Sequence, residues 1–148
     1  MDMIAPPALA FTPVAPHDFD ALADLRALAM RPSLERLGRY DPERSRSRLW
    51  AGFKPEHMRW ICLDGARVGF YSLIQEDGAW KLDHLYLHPS MQSQGIGSAV
   101  MRHLIERTQG QSMRVTALRN SESNAFYRRH GFAQTGESEW DIEYKRSV

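Results

Sequence analysis

The chain has 148 residues, 43% of them hydrophobic and 25% charged, which fits a single globular domain over 1–148 that buries roughly two-thirds of its unfolded surface. Nineteen Lys and Arg against eighteen Asp and Glu leave a formal charge of +1, so no global field draws nucleic acid or an anionic membrane. The single cysteine, Cys62, excludes an internal disulfide framework and a cysteine-rich zinc site. No apolar run nears the roughly 20 residues that span a bilayer, and Met1 to Ala10 lacks a basic segment ahead of an apolar one, so a soluble cytoplasmic protein is expected.

In chain order, Met1 to Ala8 reads as a loose end because Pro6 and Pro7 forbid regular helix, and Leu9 to Val14 reads as a short strand. Asp18 then caps a helix carrying Phe19, Leu22, Leu25, Leu28 and Ala29 on one side and ending at Pro32. Ser33 caps a further helical turn stopped by Gly38, and Asp41-Pro42 opens another helix reaching about Ala51. From His57 the period changes. Met58 to Leu63, Arg67 to Gln75 and Ala79 to Leu87 read as an antiparallel meander joined by Asp64-Gly65 and Asp77-Gly78, strong two-residue hairpin signals. A helix follows Gly95, with Ile96, Val100, Leu104 and Ile105 as its apolar stripe and Gly110 as its stop. Met113 to Leu118 is the next strand, parallel to the one before the glycine loop because a helix connects them. Asn120 or Ser121 caps the last helix, Gly131 ends it, and Phe132 to Thr135 with Glu139 to Arg146 close the chain as a hairpin.

The organising stretch is Lys81 to Thr108, a strand, a loop with Gly95 and Gly97, and a helix. Glycines at a helix mouth let backbone approach a ligand, and the first helical turn offers unpaired N–H groups with partial positive charge, which makes a phosphate seat. Known phosphate loops fail on inspection. Gly97 is followed by Ser98 and Ala99 rather than by Lys and Ser or Thr, and Val100 stands where a dinucleotide fingerprint needs a small residue.

The longer pattern Gln92-x-x-Gly95-x-Gly97, with Asn120-x-x-Ser123-x-x-Phe126-Tyr127-x-x-x-Gly131-Phe132 downstream, resembles the GNAT superfamily of acyl-coenzyme A-dependent N-acetyltransferases over roughly Trp80 to Phe132. The resemblance implies an α/β (α+β) fold, a mixed and mostly antiparallel sheet of about six to seven strands with one splayed parallel pair, flanked by about four helices. It also implies that acetyl-coenzyme A (acetyl-CoA) is the acyl donor, with no metal, and that Gln92, Ser93, Gln94, Gly95, Ile96, Gly97 and Ser98 hold its pyrophosphate. The backbones around Leu85, Tyr86 and Leu87 would pair with the pantetheine arm, and Asn120 and Ser123 would contact it. Tyr127 would assist the departing thiolate, and the strand N–H near Leu87 would stabilise the oxyanion. The free pKa values, about 10 for tyrosine and about 8.5 for a thiol, show that a hydrogen bond can suffice without full transfer. On its own, the Phe126-Tyr127 pair also reads as core-facing aromatics.

The general base stays open. Where many family members carry a glutamate this sequence has Lys81. Asp83, two residues on, shares its face by strand alternation if no bulge intervenes, and His84 lies on the opposite face. Asp83 ranks first, His84 second and a water relay third, against a purely structural pairing of Asp83 with Lys81 or an arginine. His84 and His88 are roughly 13 Å apart along a strand, too far to share one ion. The acceptor is a small-molecule amine or a peptide or protein amine. Six arginines from Arg31 to Arg48 would favour an anionic acceptor, whereas Glu137, Glu139 and Asp141 would favour a cationic one. Dimerisation through the terminal strands is compatible with the pattern, as is a coenzyme A-binding sensor with little turnover.

Overall fold

The computed structural model describes residues 8–147, so most of the stretch read as a loose N-terminus lies outside the described residues. Seven strands form one sheet in the order β1-β2-β3-β4-β5-β7-β6, with β1 at Leu9–Pro13, β2 at Met58–Leu63, β3 at Ala66–Glu76, β4 at Ala79–Leu87, β5 at Met113–Leu118, β6 at Ala133–Glu137 and β7 at Asp141–Arg146. All neighbours are antiparallel except β4 and β5, which run parallel. The helices are α1 (Phe19–Arg36), α2 (Pro42–Ala51), α3 (Ile96–Arg107) and α4 (Ser123–Arg129). The hairpin turns form as their composition demands, with φ of 50° and 85° at Asp64 and Gly65 and 49° and 76° at Asp77 and Gly78.

The sheet has a core on each face. Ile96, Val100, Met101 and Leu104 of α3 pack with Tyr127 of α4 against Leu82, Val115 and Tyr144. Phe19 and Leu22 of α1 and Leu49 of α2 pack against Met58, Trp60 and Phe70 on the other face. Each fully buried side chain of this size contributes about 1.5–3 kcal/mol. No helix among the described residues is long and apolar enough to cross a membrane.

Two helix boundaries depart from the sequence expectation. Pro32 does not end α1, which continues to Arg36, so Ser33 caps nothing. Pro32 removes a donor that would have bonded the carbonyl of Leu28, but this side of the helix faces water, Leu28 being 45% exposed, and solvent can satisfy that carbonyl. The last turn is held by Arg31 Nε to Glu35 Oε1 at 2.6 Å and is closed at Gly38, where Gly38 N–H bonds Glu35 O and Arg39 N–H bonds Leu34 O. Asp18 also does not cap α1. Its buried carboxylate accepts from Ala15 N–H at 2.8 Å and Trp60 Nε1 at 3.1 Å, tying the entry of α1 to β2. Asp41 does cap α2, accepting from the N–H groups of Glu43 and Arg44.

Helix α4 begins at Ser123, after the residues read as its cap. Asn120 instead takes a left-handed turn, with φ of 65°. The helix is anchored by Asn124, whose amide donates to Leu118 O at 2.9 Å and accepts from Tyr144 Oη at 2.8 Å. Asn124→Ala would take the acceptor from the Tyr144 hydroxyl hydrogen, leaving that phenol only the bond it receives from Arg128 Nη1, and would leave Leu118 O only Ser121 N–H, so urea unfolding should show a loss of about 1–3 kcal/mol.

Candidate active site

Parallel pairing of β4 with β5 lasts only from Trp80–Met113 to Leu82–Val115. Beyond it the strands splay. A cleft of about 140 Å³ opens between them, lined by Leu82 to Leu87 on one side and Val115 to Leu118 on the other. On the opposite edge of β4, His88 N–H bonds Val68 O at 2.7 Å, so alternation turns the backbone groups of Leu85 and Leu87 toward the open slot. The side-chain amide of Gln92 donates to Leu87 O at 3.2 Å and links the loop to this edge.

A larger cleft of about 510 Å³ shares Leu85, Leu87, Gln92 and Tyr127 with the slot and extends to the start of α3. Gly95, with φ of 78°, forms the N-cap of α3 in a conformation that costs a side-chain-bearing residue about 1–2 kcal/mol. The first helical bond runs from Ala99 N–H to Gly95 O at 3.2 Å, which leaves the N–H groups of Ile96, Gly97 and Ser98 without helical partners. At Gly97 an added Cβ would sit 3.2 Å from the Phe126 ring, so this turn packs closely on α4. Ser98 Oγ lies 3.0 Å from His130 Nε2, a second tie between the helices.

From the expected pyrophosphate loop, Gln92, Ser93, Gly95, Gly97 and Ser98 line the larger cleft, as does Ser123. Gln94 is bonded to Ser90 O and Ile96 is buried beneath the loop, so their side chains face elsewhere, and Asn120 lines neither cleft, although Ser121 beside it lines both. Arg36, Glu122 and Arg129 also line the cleft, although no local sequence pattern marks them for it. Arg36 arrives because α1 runs through Pro32, which also brings Ala29, Pro32 and Ser33 onto the same wall at helical spacing.

Strand β4 carries a bulge that alternation alone does not reveal. Ser72 pairs with His84 and Leu73 with Leu82, so Asp83 is an extra residue opposite one step of β3. The expectation that His84 and Asp83 lie on opposite faces is therefore overturned. Lys81, Asp83 and His84 gather on the α1 and α2 side, with Lys81 Nζ 3.6 Å from Asp83 Oδ1 and His84 Nε2 3.6 Å from Asp83 Oδ2. His84 Nδ1 lies 3.2 Å from Tyr86 Oη, which accepts from Arg26 Nε at 3.2 Å. Asp83, His84 and Tyr127 all line the slot.

Burial pushes the His84 pKa well below the usual histidine range; Asp83 opposes this, while Arg26 and Lys81 add to it. Burial likewise pushes the Tyr127 phenol far above its usual value, with Tyr86 adding to the shift. For His84 the unfolded chain binds the proton more readily, so stability should fall as pH drops below about 6.5 toward the folded pKa, by up to about 1.4 kcal/mol per pH unit. Urea unfolding from pH 7.5 down to 5 should show this slope in the wild type and a shallower one in His84→Gln, which leaves the burial-lowered His103 and His130 in place. No group of three or more His, Cys, Asp or Glu among the described residues could hold a metal ion.

Comparison with known proteins agrees with this arrangement. A family model described as "Acetyltransferase (GNAT) domain" matches residues 55–134. The peptidyl-lysine N-acetyltransferase YjaB of Salmonella typhimurium is 30% identical over 124 residues, which cover 82% of this chain and 74% of that protein. Among solved structures, the PaiA N-acetyltransferase of Thermoplasma acidophilum in complex with coenzyme A superposes with a TM-score of 0.75 at 16% identity, covering 95% of this chain and 99% of the other. An acetyltransferase of Thermus thermophilus gives the same TM-score at 18% identity, over 95% and 97% of the two chains. With its fold, its splayed strand pair and its sequence relatives in agreement, the chain belongs to the GNAT acetyltransferase family.

Proposed function

We propose that the protein transfers the acetyl group of acetyl-CoA to a primary amine by direct attack in a ternary complex. The observation that carries this is a pair of adjoining clefts that share Leu85, Leu87, Gln92 and Tyr127, one reaching the open N-terminus of α3 and the other the β4–β5 slot, which both Asp83 and Tyr127 line. The free N–H groups of Ile96, Gly97 and Ser98, with Arg36 and Arg129 beside the cleft, fit a pyrophosphate. The outward backbone edge at Leu85 and Leu87 fits an amide-bearing pantetheine chain. The bound donor supplies an activated thioester carbonyl.

Asp83 takes a proton from the acceptor ammonium, and the free amine then attacks the carbonyl. An N–H on the open edge of β4 at Leu85 or Leu87 stabilises the oxyanion. As the C–N bond forms and the C–S bond breaks, Tyr127 donates a hydrogen bond to the departing thiolate, and the second amine proton reaches the sulfur or solvent. Net, an ammonium and a thioester become an amide, a thiol and a free proton. A peptidyl lysine is the first acceptor to try, because the Salmonella relative is named for that substrate.

The competing reading is a coenzyme A-binding module with little turnover, favoured by the ammonium of Lys81 lying 3.6 Å from the carboxylate meant to act as base. Coenzyme A titration with free-thiol release across amines and lysine peptides separates the two. Saturable binding should raise unfolding stability by about 2.7 kcal/mol at a hundredfold excess over Kd, and thiol release should depend on an acceptor. Binding with no release from any acceptor would establish the binding module instead.

A further inference from the structure

A buried arginine sits behind the slot and forms no ion pair among the described residues. Arg26 of α1 is 7% exposed, and its guanidinium donates through Nη1 to Ser45 O at 3.1 Å and to Ser45 Oγ, and through Nε to Tyr86 Oη at 3.2 Å. A guanidinium has donors and no acceptor, so Tyr86 Oη must receive at this contact. The phenol keeps one hydrogen to give, and His84 Nδ1 stands 3.2 Å away. The contact is part-buried, and an unmade hydroxyl hydrogen bond there costs free energy, so Nδ1 is the acceptor and the ring hydrogen belongs on Nε2. That nitrogen faces Asp83 Oδ2 at 3.6 Å, where an N–H is attracted to a carboxylate and a lone pair would be repelled. Both ends of the imidazole select the same tautomer.

We propose that Arg26, Tyr86 and His84 form a one-way hydrogen-bond chain that aims an N–H at Asp83, so that His84 is a positioning residue and Asp83 is the proton acceptor. The inference rests on the acetyltransferase reading for Asp83's task and sharpens it. Nδ1 is covered by the Tyr86 hydroxyl and Nε2 already carries a hydrogen, so neither nitrogen of His84 can take a proton from an amine. The charged groups facing His84 are Arg26 from α1 and Lys81 and Asp83 from its own strand, while β3 presents the uncharged ring of Phe70. The two cations disfavour an imidazolium, which would also deprive the Tyr86 hydrogen of its acceptor.

His84→Gln separates positioning from catalysis, because the carboxamide offers an acceptor to Tyr86 and a donor to Asp83 but cannot take up a proton near neutral pH. With the best acceptor of the wild-type panel, kcat/KM should fall by no more than about tenfold and keep the wild-type acid limb, whereas His84→Leu should fall further. Nitrogen NMR of the histidine rings in the free protein at pH 8 should show His84 protonated on Nε2, with that preference weakened in Tyr86→Phe. A His84→Gln loss as deep as that of Asp83→Asn, with the acid limb abolished, would overturn the proposal, as would a ring hydrogen on Nδ1. Since the NMR readout needs no turnover, an Nε2 hydrogen in a protein inert toward every acceptor would uphold the chain and sink the acetyltransferase reading.

Discussion

Asp83→Asn should lower kcat/KM by roughly 10²–10⁴-fold while leaving the coenzyme A titration nearly unchanged. The side chain is a quarter exposed and at the bulge, so the amide fits the same space and the fold has no reason to respond. What changes is proton affinity. An amide cannot remove the proton that keeps an alkylammonium from attacking, and Lys81 then faces a neutral partner. If the variant kept full activity at every pH, a water relay from elsewhere would be the base. If activity recovered only as pH approached the acceptor's own pKa, the loss would be confirmed as one of deprotonation.

Tyr127→Phe should reduce kcat by about 10–100-fold, the worth of one hydrogen bond to a charged group, with little change in stability. The ring packs against Phe126, Phe132 and Tyr144, and phenylalanine preserves all three contacts. Burial holds the phenol protonated throughout the working range, so its hydroxyl remains a donor and contributes no titration limb between pH 6 and 9. In the proposed leaving-group role, a phenol with a raised pKa would hand its proton to a thiolate only uphill, so its assistance would be a shared hydrogen bond to the leaving sulfur. Pre-steady-state release of thiol, compared between wild type and variant, measures this step directly, and an unchanged rate would remove Tyr127 from the leaving-group role.

Much of the framework was legible because its signals are local. Asp64-Gly65 and Asp77-Gly78 mark turns that require positive φ, and they set the β2-β3-β4 meander within a residue or two of its observed limits. Gly95, also at positive φ, marked the entry of α3 for a similar reason, and the Asp41-Pro42 cap placed α2. The features that were not legible depend on partners distant in the chain. Whether Pro32 breaks a helix is decided by what surrounds the orphaned carbonyl, and here Leu28 lies on an exposed face that solvent can reach. The side on which His84 falls is decided by how many residues of β4 oppose Ser72 and Leu73, a matter of pairing that strand alternation cannot supply. Arg26 gave no signal among the many arginines of the helical lead-in. Its importance lies in its burial with no ion pair among the described residues, which only the packed structure discloses.

For the sheet, Asp83 is a residue too many. Leu82 and Leu85 keep the same face on either side of it, and Lys81, His84 and Tyr86 keep the other, as they would had the strand been one residue shorter. The ladder is complete without it, so this position is released from the two demands a strand ordinarily makes, a fixed side-chain direction and a fixed backbone partner. An insertion of this kind lets the chain hold a carboxylate against the slot without surrendering a core position to a charge. With Asp83 as the proposed base, stability and chemistry would be written on different residues of the same strand.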